Sequence, residues 1–190
     1  MEYIQKYWAK LSGFLTLSIL ITLFLLIDNL THIEVLLWLH LATLFIHQFE
    51  EYVYPGGFKD FFNTYVHKKS KIIQHPLTDN GIILVNVLIA WPAYFLSAIY
   101  GLEIIWLALG LAAISILNGI MHTLMFFLHK RYNPGLISGF FLSIPFGIYL
   151  LSVLLENPTT ETTASGLVVF IIGTALIPFS IYLTYTAKKD

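Results

Sequence analysis

Runs of about twenty mostly apolar residues follow one another along this chain with little between them, and that spacing leaves few folds open. A helix needs about 20 such residues, at 1.5 Å rise each, to cross the hydrocarbon of a bilayer. Six segments qualify: Leu11–Ile27, Ile33–Tyr54, Thr78–Ala98, Glu103–Leu128, Leu136–Leu155 and Ser165–Thr186. The second is more polar than the rest. Only the connection between the second and third is long. The chain therefore reads as one all-α domain over residues 1–190, a polytopic membrane bundle of six transmembrane helices. Composition agrees: 57% of the residues are hydrophobic, 11% are charged, and the mean hydropathy is +0.78. A soluble domain carries about 25% charged residues. So much apolar surface has no interior to fill, and lipid must be part of the solvent.

Orientation follows from the basic residues. Lys6 and Lys10 precede the first run; Lys59, Lys68, Lys69 and Lys71 lie between the second and third. Lys130 and Arg131 follow the fourth, and Lys188 and Lys189 follow the sixth. These are all ten Lys and Arg of the chain, and six spans put every one of them on the same side. The opposite turns hold Asp28, Glu34, Glu103, Glu156 and Glu161. By the positive-inside rule the basic side is cytoplasmic, with both termini on it. After Ile27 comes Asp28-Asn29-Leu30-Thr31-His32, without a small-residue cleavage site, so the first run reads as an uncleaved span of a multi-pass cell-membrane protein. A net charge of -1 gives no footprint for nucleic acid. The absence of cysteine excludes disulfides and thiolate chemistry.

The long connection has its own pattern. Pro55-Gly56-Gly57 ends the second run, and then Phe58, Phe61, Phe62, Tyr65 and Val66 recur at helical spacing. This predicts a short amphipathic helix, lying in the headgroup region or capping the bundle.

Ionisable residues at membrane depth are costly and mark functional candidates. The second run carries His40, His47, Glu50 and Glu51 on one polar stripe, with Glu51 about 40° and Glu50 about 60° to either side of His47. The fourth carries Ser115, Asn118, His122 and His129 within roughly 60° of arc, and the third carries Asp79 and Asn86. His47, His122 and Asn86 each lie seven or eight residues from the cytoplasmic ends of their runs, which places all three about 10–12 Å deep. His40 reads as a packing residue. His32, His67, His75 and His129 fall in turns or near the interface and read as solvated.

Three stretches match a known pattern. His47-Gln48-Phe49-Glu50-Glu51 has the form HxxEE, Asn118-Gly119-Ile120-Met121-His122 the form NxxxH, and Tyr132-Asn133-Pro134-Gly135-Leu136-Ile137-Ser138 the form YxPGxxT, with Ser138 in place of Thr. Together they resemble the HXXEE family of bacterial integral membrane proteins over roughly residues 35–160. The resemblance implies a membrane enzyme of uncharacterised activity and supplies no substrate.

The residues themselves suggest chemistry. His47, Glu51 and His122 form a donor set suited to a divalent metal, either an open Zn²⁺ site for hydrolysis or a non-haem Fe²⁺ site for oxidation. Glu50 would serve as general base or further ligand, and Asn118 would hold an imidazole tautomer or a substrate oxygen. Asn86 completes the level from the third run. The same His and Glu groups also allow a structural reading, in which they neutralise one another and hold the bundle together. Tyr132, Gly135 and Ser138 open the fifth run beside Arg131, where a phospholipid headgroup or phosphate could dock. A tight turn with anchoring cations explains that stretch equally well. The expected function is metal-dependent acid–base or hydrolytic chemistry on a membrane lipid or lipophilic small molecule, reached from the cytoplasmic leaflet. The alternatives are a small proton-coupled transporter and a non-catalytic membrane subunit.

Overall fold

The computed structural model describes residues 2–69, 75–156 and 158–187, with side chains from residue 7 onward and not at Lys69. Lys71, Lys188 and Lys189, counted above among the basic residues, lie outside the described residues, as do the side chains of Lys6 and Lys69. Every described element is helical. In order they are α1 (Glu2–Leu26), α2 (His32–Tyr52), α3 (Phe58–Phe61), α4 (Asp79–Ile83), α5 (Trp91–Tyr100), α6 (Ile105–His129), α7 (Leu136–Ser138), α8 (Ile144–Leu154) and α9 (Thr160–Thr186).

Several of these are one helix interrupted. Wider π-type turns at Leu84–Ala90 and Gly139–Ser143 join α4 to α5 and α7 to α8. Each lies just ahead of a proline, Pro92 or Pro145, at the start of the next element. Proline has no N–H to donate and its ring collides with the carbonyl four residues back, so the preceding turn opens by one residue. α3 likewise continues through a π-type turn (Phe62–Val66) and a 3₁₀ turn (His67–Lys69), so the predicted amphipathic segment is helical.

Among the described residues, five helices are long and apolar enough to cross a membrane: Tyr7–Asn29, Asp79–Tyr100, Ile105–His129, Leu136–Leu154 and Thr160–Thr186. α2 has 21 residues but carries Glu34, Glu50 and Glu51, which lower its apolarity. It starts at a complete capping box, where Thr31 accepts from Glu34 N and the Glu34 carboxylate accepts from Thr31 N. It then runs back along α1, and the Trp8 and Tyr52 rings meet 5.0 Å apart.

The surface is the inverse of a soluble domain. Phe24 is 82% exposed, Leu128 76% and Phe141 72%, whereas His40, His47, Gln48, Glu50, Glu51, His122 and Asn133 are buried. Exposed apolar belts around a polar interior are compatible with a multi-pass membrane protein. Apolar layers hold the rest of the core: Ile19, Leu41, Phe45, Tyr94 and Leu111 join α1, α2, α5 and α6, and Leu37, Ala108, Ala112 and Leu150 join α2, α6 and α8.

One crossing fixes the site. α6 meets the π-type turn after α7 at Gly119 and Gly139, where a Cβ on Gly119 would lie 2.6 Å from the Gly139 carbonyl oxygen. Small residues let the two backbones touch, as at many membrane helix crossings. That contact brings the 132–138 turn against His122.

Lys10, Lys59 and Arg131 gather at one end. Lys10 and Lys59 line the same cavity of about 260 Å³ with Trp8, Tyr52 and Asp79. Lys59 pairs with Asp79 at 2.7 Å. Arg131 stands 5.2 Å above the Tyr65 ring. Asn63 closes two bonds with the Leu77 backbone, at 2.9 and 2.7 Å, tying the amphipathic segment to the start of α4.

Candidate metal centre

α2 and α6 each turn one histidine inward at the same level, and the two rings meet edge to face with centroids 4.8 Å apart. His47 is 3% exposed and His122 1%. Glu51, one turn beyond His47, sets its Oε1 3.3 Å from His122 Nε2 and 3.7 Å from His47 Nε2. One ligand atom from each of the three lies within 4.8 Å of the others. The sequence brings His47, Glu51 and His122 together as its angular spacing predicts.

Hydrogen bonds on the outer sides of the rings fix which nitrogen faces inward. The Glu50 carboxylate accepts from Tyr132 Oη at 2.7 Å, from Ile137 N at 3.0 Å, from Ser138 N at 2.7 Å and from Ser138 Oγ. Ser138 thus spends its only hydroxyl proton on Glu50 and can only accept from His47 Nδ1, 2.8 Å away. Asn133 donates through Nδ2 to the His122 carbonyl at 2.9 Å, so its Oδ1 accepts from His122 Nδ1 at 2.6 Å. Both imidazoles carry their proton on Nδ1. In the neutral rings both Nε2 lone pairs then point toward the Glu51 carboxylate, and Asn118 Nδ2 lies 2.8 Å from that of His47. Outer partners that hold Nδ1–H and free Nε2 are the usual support of metal-ligating histidines.

With both imidazoles neutral, His122 Nε2 and the Glu51 carboxylate face one another as acceptors, an arrangement that a cation between them would relieve. Two neutral imidazoles and one carboxylate fit a divalent ion with open coordination positions.

The turn that supplies these partners is packed onto the rings. Gly135 has φ +97°, and a Cβ there would lie 2.5 Å from His122 Cε1 and 2.9 Å from His47 Cε1. Only glycine meets both demands. The Tyr132 phenol is pushed above its ordinary pKa by burial and by the Glu50 carboxylate. It stays a donor. From the other side Phe58 of α3 covers His122, with ring centroids 5.0 Å apart.

With these three motifs assembled around one cluster, the sequence relationship gains a structural meaning. The family described as "Protein of unknown function with HXXEE motif" matches residues 38–150. The chain belongs to the HXXEE family. Its matched region runs from α2 into α8 and contains every residue of the cluster. No curated protein and no solved structure matches the chain.

Other candidates sit close by in different roles. Asn86 accepts from Gln48 Nε2 at 3.0 Å and donates to the Ile82 carbonyl, while Gln48 accepts from Trp91 Nε1 at 2.7 Å. This polar set occupies the neighbouring face of α2. His40 Nε2 lies 2.9 Å from Ser115 Oγ, away from the cluster. His129 contacts Phe61 and Tyr65, and His75 contacts Tyr182 and Tyr185, so neither is simply solvated. Asn133 and Gln48 are the site residues that sequence reasoning missed. The only signal for Asn133 was an amide placed before Pro-Gly in the turn beside His122.

Proposed function

We propose that this HXXEE protein is a membrane-embedded metal-dependent enzyme, with His47, Glu51 and His122 holding a divalent ion, Zn²⁺ or Fe²⁺. The observation that carries the reading is the pair of buried imidazoles. Both donate outward through Nδ1, which turns both Nε2 atoms on one carboxylate. Packing alone does not require two imidazoles and a carboxylate to converge within reach of one ion. Such an ion would supply a Lewis acid and a bound water of lowered pKa, which suits hydrolysis or related acid–base chemistry. Glu50, engaged by four donors, anchors the 132–138 turn and acts on His47 through Ser138 rather than as a free base. Asn118 lies against His47 Nε2, and Asn86 supports α2 through Gln48.

The setting supports a lipid or lipophilic substrate. We read α2 as a sixth span beside the five apolar helices, both termini as cytoplasmic in the cell membrane, and the α3 segment as lying at the interface. Lys10, Lys59 and Arg131 gather at the end where the cluster lies nearest the surface, and Arg131 offers charge to an anionic headgroup. The decisive test is metal analysis of protein purified in detergent. Wild type should retain close to one ion per chain, and His47→Ala and His122→Ala should lose it. Metal-free wild type that cannot be reloaded would end the reading.

A further inference from the structure

We infer that Asn118 is a fourth protein ligand of the ion, through its amide oxygen. The inference rests on the metal reading above and deepens it. Asn118 lies one turn before His122 on the same face of α6, and its Nδ2 stands 2.8 Å from His47 Nε2. Ser138 occupies the other ring nitrogen, so the amide meets the His47 lone pair itself. An ion entering among His47, Glu51 and His122 takes that lone pair and leaves the amide N–H without its acceptor. Rotation about the terminal side-chain bond then exchanges Nδ2 for Oδ1 while the rest of Asn118 stays in place. This puts a carbonyl oxygen, an acceptor, against the cation.

The spacings fit. With bonds of about 2.1 Å, ligand atoms on one ion stand roughly 3.0 Å apart when octahedral and cis, and roughly 3.4 Å apart when tetrahedral. The amide atom lies 2.8 Å from His47 Nε2, and Glu51 Oε1 lies 3.3 Å and 3.7 Å from the two imidazoles. Four donors of this kind would fill a tetrahedral ion and leave no place for water or substrate. A reactive centre therefore needs an ion that reaches five or six positions. Two imidazoles with a carboxylate and an amide oxygen favour Fe²⁺ over Zn²⁺ on that ground.

Cobalt(II) tests the ligand directly, because its visible absorption reports coordination number and donor set. Chelator-stripped protein in detergent is titrated with Co²⁺, and affinity and spectrum are compared among wild type, N118A, N118S and N118D. N118A and N118S should bind about tenfold or more weakly with an altered band, while N118D, which keeps an oxygen donor, retains the wild-type band. Melting without metal checks the fold, and N118S replaces N118A if the latter is unstable. N118A or N118S with wild-type affinity and spectrum, beside H122A that loses both, overturns the ligand role and leaves the metal centre standing. Wild type that binds no Co²⁺ overturns the centre itself.

Discussion

Replacing Gly135 with alanine tests whether the turn is built onto the two imidazoles. Two costs arise together. A non-glycine residue held at positive φ costs about 1–3 kcal/mol. Forcing a methyl into filled space costs about another 1–3 kcal/mol. The space is filled, because the new Cβ would lie 2.5 Å from His122 Cε1 and 2.8 Å from its Nδ1. Gly57 provides the control. Its φ of +91° is close to the +97° of Gly135, yet nothing lies within 4 Å of its Cβ position. Gly57→Ala therefore carries the backbone cost alone, and the difference between the two variants isolates the contact with the histidines. At roughly 2–4 °C per kcal/mol for a chain of this size, Gly135→Ala should melt roughly 2–12 °C below Gly57→Ala. The assay is thermal unfolding in one detergent, with Co²⁺ titration of both variants. Gly135→Ala should also lose Co²⁺ affinity, since relief of the clash moves a ring. Equal melting temperatures and equal affinity would refute the packing of the turn on the site.

Four further outcomes follow. Glu50→Gln presents an amide to a nest of four donors and should destabilise by about 2–3 kcal/mol, whereas Glu51→Gln should keep or raise the melting temperature and lose the metal; the same behaviour from both would merge their roles. Asn133→Ala strips the partner from His122 Nδ1 and from its carbonyl, so stability should fall by about 1–3 kcal/mol and metal affinity by about 10- to 100-fold, measured by melting and competition titration. The raised pKa of Tyr132 means that its bond to Glu50 stabilises the fold fully below the unfolded value near about 10. That contribution is lost as pH rises through the higher folded value, so alkaline melting curves of wild type should converge on those of Tyr132→Phe. Reporter fusions at the C-terminus and in the connection between α8 and α9 should report opposite sides of the membrane; the same side for both would remove a span.

The helices and the pairing of His47 with His122 were legible because they rest on periodicity, which sequence displays directly. A 3.6-residue repeat places Glu51 beside His47, and the apolar runs set both at one depth. The role of Glu50 was not legible in the same way. Its partners lie 82 to 88 residues away on an irregular turn, and no repeat links them. Asn133 escaped for a related reason: an amide before Pro-Gly reads as turn chemistry, and only the fold of that turn over His122 gives it a second task. The greater polarity of the second run was also legible, and its carboxylates set α2 apart from the five apolar helices.

That distance between Glu50 and its donors has a consequence for biogenesis. Ribosomes add about 5–20 residues per second, so roughly 4–18 s separate the synthesis of Glu50 from that of the turn that satisfies it. Early in that interval α2, as the proposed sixth span, has only α1 to lean on while it carries two carboxylates into lipid, and α5 and α6 join it later. It is the span most dependent on its protonation state and on the insertion machinery. The cluster itself is packed only once Gly135 has docked, so on the proposed metal reading loading would follow insertion rather than guide it. A chain stalled or truncated at His129 would present bare carboxylates within the membrane, the kind of lesion that membrane proteases remove.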